Sequence, residues 1–133
     1  MKVTGACHCG KVTYEAEIDT EKVGICHCTD CQRLSGSAFR TVAFTNENCF
    51  WLTAGELKEY VKTGDSGNER IQSFCPNCGS PIYSAPTSEP KVYSIRVGTL
   101  EQRDELVPKF QIWCRSEQEW IKEIGSIDSI PTQ

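Results

Sequence analysis

The chain has 133 residues, and we expect residues 1–133 to form a single domain with a modest core, because only 38% of them are hydrophobic. The net charge of −4 argues against a sequence-independent hold on DNA or RNA, which relies on clustered Lys and Arg. No apolar run approaches the roughly 20 residues that a membrane-spanning helix needs, so we expect no membrane partner.

Short strand-like runs separated by turns extend along most of the chain and predict a mainly β fold. Polar residues alternate with Val12, Tyr14, Ala16 and Ile18, which predicts a strand with one buried face. Further strands are predicted at residues 23–25, 38–44, 70–74, 91–97 and 110–113. Turns or turn-rich loops are predicted at residues 5–9, 19–22, 62–68 and 84–90, a loop or helical turn at 32–37, and a hairpin at 50–61.

Seven of the 9 cysteines fall in three short clusters: Cys7-His8-Cys9, Cys26-His27-Cys28-Thr29-Asp30-Cys31 and Cys75-Pro76-Asn77-Cys78. Tetrahedral zinc takes four such ligands at a structural site, or three ligands and an open position at a reactive one. The first and third clusters supply four sulfurs and the middle cluster supplies three. We therefore predict up to two zinc ions per chain, one in a closed site and one in a site with a vacancy.

A secreted domain held together by disulfides is the alternative interpretation of so many cysteines in a short chain. The first residues lack the apolar stretch of a secretory signal, the cysteine count is odd, and C-x-C pairs make poor disulfides. These features favour metal binding in a reducing cytoplasm. Without its metal, the middle cluster could form a disulfide instead.

Three stretches resemble the family of glutathione-dependent formaldehyde-activating enzymes, which includes centromere protein V. They are residues 5–14, 26–36 and 74–80, with weaker support from residues 55–60, 97–100 and 108–120. The resemblance extends over about residues 3 to 121. It implies a small zinc-containing β fold of short antiparallel sheets, similar to the Rab-associated zinc protein and methionine-R-sulfoxide reductase.

The resemblance also implies two metal sites and an activity. It assigns a structural zinc to four cysteines, Cys7, Cys9, Cys75 and Cys78. It assigns a second, catalytic zinc to Cys26, Cys28 and Cys31, where the family's founding activity adds glutathione to formaldehyde to give S-hydroxymethylglutathione. We therefore expect a zinc-dependent carbon–sulfur lyase or thiol-adduct synthase whose partner is a small thiol such as glutathione.

The chemistry of a three-thiolate zinc agrees with that expectation. Its open position would bind a substrate thiol and lower the thiol's pKa, so that the thiolate attacks a small electrophile such as formaldehyde. His27 is a candidate proton carrier. Arg33, Ser35 and Gly36 directly follow the middle cluster and are candidates to meet a carboxylate of glutathione, although a solvated arginine in a turn fits the pattern equally well.

Two other functions remain open at this point: a non-catalytic zinc-binding module for protein partners, and a thiol oxidoreductase of related fold. The oxidoreductase would need an accessible Cys49 or Cys114, whereas we expect both to be buried small hydrophobes. The three tryptophans are expected in the core. Exposed strand edges would allow two copies to form a homodimer.

Overall fold

The computed structural model describes residues 1–133 and contains one eight-stranded sheet with a single short α-helix. The elements are β1 (Lys2–Ala6), β2 (Thr13–Cys26), α1 (Thr29–Ser35), β3 (Arg40–Ala54), β4 (Lys58–Thr63), β5 (Glu69–Phe74), β6 (Pro81–Pro86), β7 (Ser94–Arg96) and β8 (Phe110–Ile112). Short 3-10 helices lie at Val97–Thr99, Arg103–Glu105, Cys114–Ser116 and Glu119–Ser126. The fold is mainly β, as the sequence predicts.

Seven strands follow the order β1-β2-β3-β7-β6-β5-β4, and each neighbouring pair is antiparallel. The eighth strand, β8, pairs in parallel with the end of β2. Gly24 on β2 is required there, because a Cβ would come within 2.3 Å of the Phe110 ring. This close approach brings the C-terminal segment of the chain beside the second cysteine cluster.

The predicted alternation along β2 is confirmed. Val12, directly before the strand, and Tyr14, Ala16 and Ile18 within it are at most 2% exposed. Tyr14 stacks on Phe50 with ring centroids 5.1 Å apart, and Phe50 in turn contacts Tyr83 and Tyr93. The four alternating residues belong to a hydrophobic core of 14 buried residues, and Phe50, Tyr83 and Tyr93 pack against it. Full burial of a large apolar side chain contributes about 1.5–3 kcal/mol.

Several local predictions are wrong, and the cause is pairing between distant segments. Residues 19–22 continue β2 through an irregular register against β3 instead of forming a turn. The predicted hairpin at 50–61 does not form, because β4 pairs with β5 at the other edge of the sheet. Residues 5–6 belong to β1, and residues 84–86 belong to β6 rather than to a loop.

The expected burial of the tryptophans and of the two unclustered cysteines is also wrong. All three tryptophans are about half exposed, at 48% for Trp51, 45% for Trp113 and 53% for Trp120. Cys114 is exposed and Cys49 is half-buried. No helix in the structure is long and apolar enough to cross a membrane.

Candidate functional site

The first and third cysteine clusters meet in space, as the ligand count predicts. The sulfurs of Cys7, Cys9, Cys75 and Cys78 all lie within 4.8 Å of one another. The Cys7–Cys9 and Cys9–Cys75 sulfur pairs are 3.5 and 3.8 Å apart. Zinc–sulfur bonds of about 2.3 Å give a regular tetrahedron with edges of about 3.8 Å, so this group fits a closed four-thiolate zinc site.

Backbone turns hold these four sulfurs in place. The amide of Val12 donates to the Cys7 sulfur at 3.2 Å, which fixes the turn that follows β1. In the other turn, the Gly79 amide donates to the Cys75 carbonyl at 2.8 Å, and Gly79 has a φ of 79° that favours glycine. The His8 amide donates to Ser80 Oγ at 3.0 Å and joins the two turns directly.

The surroundings favour the thiolate form of two of these four cysteines, whereas the pKa of Cys75 is raised. Hydrogen bonds from the Ser80 hydroxyl and amide lower the pKa of Cys78 to about 5. The Asn77 side chain likewise lowers the pKa of Cys9. Because zinc binds the thiolate and not the thiol, these hydrogen bonds favour metal binding at neutral pH.

The middle cluster forms a separate group of three. The sulfurs of Cys26, Cys28 and Cys31 lie within 4.8 Å of one another, and no histidine, carboxylate or fourth cysteine belongs to the group. Cys26 ends β2, while Cys28 caps α1 by accepting the Cys31 amide at 3.2 Å. The set can hold a metal ion and leaves one tetrahedral position without a protein ligand.

A cleft of about 300 Å³ opens over these three cysteines. Beside the sulfurs, its lining includes Leu34 of α1, Ile112 of β8 and the adjacent Trp113. Trp113 has a φ of 57°, which is unusual for a bulky residue, and the Arg115 guanidinium lies 4.9 Å from the centre of its ring. The three cysteines therefore line a cleft with one apolar wall.

Glutamine side chains join the two walls of this cleft. Gln32 of α1 donates from Nε2 to the His27 carbonyl at 2.8 Å and to the Ser116 carbonyl at 2.9 Å. Its Oε1 accepts from Gln118 at 3.1 Å. The His27 amide donates to the Ile112 carbonyl, which attaches β8 to the cysteine segment. These contacts position Trp113 relative to the sulfurs.

Three arginines in the sheet face the same region, and the sequence reasoning missed them. Arg40 lies opposite Cys26 in the pairing of β2 with β3, so the two side chains share one face of the sheet. Arg96 and Arg70 line the cleft itself, and Arg40 and Arg96 line an adjoining cleft of about 440 Å³. One signal was present in the sequence, namely that each of the three arginines lies in a predicted strand, at residues 38–44, 70–74 and 91–97.

Burial destabilises the charge on these arginines. Desolvation, with a contribution from neighbouring Arg40, lowers the pKa of Arg96 to about 9. Desolvation also lowers the pKa of Arg40, although the nearby thiolates of the middle cluster oppose that shift. A guanidinium remains charged in proteins, so these shifts mark buried positive charge that the thiolates of the middle cluster offset only in part.

The other predicted substrate contacts lie in different surroundings. The His27 ring is fully buried, 5.8 Å from Phe39, and its Nε2 is 2.7 Å from Gln111 Oε1. Arg33 and Gly36 are exposed on and just after α1. Ser35 donates to the Gln32 carbonyl at the end of the helix. None of these four lines either of the two clefts described above, and their contact with substrate stays a prediction.

Comparisons with known proteins agree with the cysteine arrangement. The profile of the glutathione-dependent formaldehyde-activating enzyme family matches residues 2–116. An uncharacterized lyase of Schizosaccharomyces pombe is 32% identical over 92 residues, which cover 68% of this chain and 63% of the yeast protein. The alignment thus spans less than two thirds of that relative.

A solved structure shares the fold. The crystal structure of a Rhodobacter sphaeroides protein, a structural genomics target, superposes with a TM-score of 0.62. At 24% sequence identity it covers 81% of this chain and 98% of its own. Because the family profile extends over all seven clustered cysteines, the chain belongs to the family of glutathione-dependent formaldehyde-activating enzymes.

Proposed function

We propose that the protein is a zinc-dependent carbon–sulfur lyase or thiol-adduct synthase that joins a small thiol such as glutathione to a small electrophile such as formaldehyde. The observation that supports this most is the three-sulfur group at the cleft, with a tetrahedral position left open. The family membership and the lyase name of the yeast relative support the same class of reaction.

In this reaction the thiol sulfur bonds to the carbonyl carbon, and the thiol proton ends on the carbonyl oxygen. A zinc ion held by Cys26, Cys28 and Cys31 would favour the thiolate form of the substrate at neutral pH. Proximity supplies a further part of the acceleration, because the cleft holds the thiol beside the space that the electrophile enters.

The remaining residues of the cleft orient the substrate and limit the access of water. Trp113 and Ile112 supply the apolar wall, and Gln32 keeps α1 at a fixed distance from that wall. The buried His27 ring is not in either cleft, so its contribution fits the placement of Gln111 and β8 better than direct proton transfer.

The test is exchange NMR on a mixture of glutathione and formaldehyde, since the adduct also forms spontaneously and only the exchange rate reports on catalysis. Protein loaded with two zinc ions should accelerate the exchange. The Cys28→Ser variant should not, because it lacks one sulfur of the three-cysteine group. A serine at this position can still cap α1 through its hydroxyl, so the helix should remain.

Either of two results would overturn the proposal: no acceleration by protein shown to hold both zinc ions, or equal acceleration by the Cys28→Ser variant. The first result would favour a zinc-binding module for protein partners. The remaining alternative, a thiol oxidoreductase, would use an accessible thiol, and Cys114 is exposed. The rate of alkylation at Cys114 tests whether that thiol is reactive.

A further inference from the structure

We propose that Arg40, Arg70 and Arg96, joined by Gln72, form a carboxylate-binding site beside the three-cysteine group, and that the protein therefore selects thiols that carry a carboxylate. The inference takes one point from the proposed function, namely that the substrate thiol binds at the three-cysteine group. It assigns recognition to strands β3, β5 and β7, rather than to the residues after Cys31.

The burial of these arginines is the first argument. Arg40 is 5% exposed and Arg96 is 7% exposed, and the Nε atoms of both are buried without a hydrogen-bond partner. Arginine is rarely buried unless it is paired. Buried positive charge that is not fully paired costs free energy, and an anion bound in the clefts that these side chains line recovers part of that cost.

The existing partners of the three guanidiniums are all neutral. Gln72 Oε1 accepts from Arg96 at 2.7 Å and from Arg40 at 3.3 Å. Ser84 Oγ accepts from Arg70 Nε at 3.1 Å and from Gln72 Nε2 at 3.3 Å. The two ion pairs in the structure, at Lys22 and Lys62, involve no arginine. The network thus orients the arginines without neutralising them.

Nearby thiolates do not supply the missing charge once a metal is bound. Three cysteinates and one divalent ion together carry a single negative charge, against three positive guanidiniums. Lys62 adds nothing to this balance, because it pairs with Asp30 at 2.6 Å. The region therefore retains a positive charge that an anionic ligand would neutralise, with charge-assisted and often bidentate hydrogen bonds.

The position of the network indicates that the anion and the thiol belong to one small molecule. Arg96, Gln72 and Leu34 line both the cleft over the cysteines and the adjoining cleft that Arg40 lines. A ligand with its sulfur at the cysteines can thus extend toward the arginines. A carboxylate fits the planar guanidinium donors, and thiols built from amino acids carry one.

The test separates the carboxylate from the thiol. S-methylglutathione keeps both carboxylates but has no free thiol, so we would measure its affinity by calorimetry and compare it with that of its diethyl ester. The intact protein should bind the acid at least about tenfold more tightly than the ester. Arg70→Gln should remove most of this preference, and Arg96→Gln should do the same if circular dichroism shows that it folds.

Arg103→Gln is the matched control, because Arg103 is exposed and its guanidinium donates only to the Leu100 carbonyl, away from both clefts. It should keep the full preference for the acid. Equal affinity of the intact protein for acid and ester would overturn the inference. So would an unchanged preference in Arg70→Gln, or the absence of measurable binding of S-methylglutathione.

The exchange assay keeps the two proposals distinguishable. If the protein prefers the acid but does not accelerate exchange, the carboxylate site is supported and the proposed reaction is contradicted. If the protein accelerates the exchange of glutathione and of its diethyl ester equally, the proposed reaction is supported and the carboxylate site is contradicted.

Discussion

The two cysteine groups use the same ligand atom and differ in what they connect. The four-sulfur group joins the turn after β1 to the turn before β6, and Cys9 and Cys75 are 66 positions apart in the sequence. The three-sulfur group comes from one short segment that ends β2 and begins α1. Because closing a long loop costs more entropy than closing a short one, the first group has more to contribute to folding.

The surroundings of the two groups differ as well. The four-sulfur group is held by backbone amides and by the Asn77 and Ser80 side chains. The three-sulfur group faces a cleft whose lining includes Arg70, Arg96 and Trp113. Four thiolates saturate a tetrahedral ion, whereas three leave a position for substrate. We therefore propose that similar motifs serve stability in one place and chemistry in the other.

The largest effect should come from removing one ligand of the four-sulfur group. Cys75 is 1% exposed, and structural zinc contributes roughly 10–16 kcal/mol in small zinc peptides, about as much as a domain's whole stability. We therefore expect the Cys75→Ser variant to be largely unfolded at room temperature. Circular dichroism should then show no cooperative thermal transition from room temperature upward.

The matched variant is Cys28→Ser, which also replaces one sulfur by oxygen. We expect it to unfold cooperatively, within about 2 kcal/mol of the intact protein, because its serine still caps α1. Metal analysis should give one zinc per chain for this variant and two for the intact protein. Equal destabilisation by the two substitutions would contradict the proposal that one cysteine group is structural and the other catalytic.

A chelator titration should separate the two groups in a single sample. The three-sulfur group has fewer ligands and lies at an open cleft, so it should release its metal first. We expect acceleration of thiol exchange to disappear in this step while the far-ultraviolet circular dichroism stays unchanged. Unfolding should accompany the second step, because folding is coupled to metal binding at the four-sulfur group.

Zinc release is followed with a colorimetric indicator, in parallel with circular dichroism and the exchange rate. Readdition of zinc after the first step should restore exchange without a refolding phase. Release of both metals in one step, together with unfolding, would contradict the comparison.

The parts of this molecule that were predictable from the sequence are local. The spacing of cysteines within each cluster and the alternation along β2 depend on neighbours a few residues away, and the structure agrees with both. The division of seven cysteines into groups of four and three followed from the coordination number of zinc. Strand pairing was harder to predict, because it joins distant segments. The predicted hairpin at 50–61 required β3 to pair with β4, but these two strands lie apart in the sheet.

The arginine network was not predictable for the same reason. Arg40, Arg70 and Arg96 lie on three strands, and only the order β3-β7-β6-β5 brings them to one face. Each appears in the sequence as an ordinary charged residue of a strand. The prediction of substrate contacts at Arg33, Ser35 and Gly36 relied on adjacency to Cys31 along the chain, and neither cleft described above includes them.

The smallest of the effects should come from Gln32→Ala, which disconnects α1 from the C-terminal wall of the cleft. The substitution removes donors to the His27 and Ser116 carbonyls and the acceptor for Gln118. We expect a loss of about 1–2 kcal/mol in the free energy of unfolding, measured by urea denaturation. The concentration of thiol needed for half-maximal exchange should rise, because Trp113 and the sulfurs are no longer held at a fixed spacing.

Gln102→Ala provides the matched control. Gln102 also hydrogen-bonds through both side-chain atoms, to the Thr4 amide at 3.0 Å and the Thr4 hydroxyl at 3.3 Å, but it lines neither cleft. It should cost a similar free energy of unfolding and leave the thiol dependence of exchange unchanged. If both glutamine variants shifted the thiol dependence equally, the effect would reflect general stability, and the contact between α1 and the C-terminal segment would have no specific part in holding the cleft open to substrate.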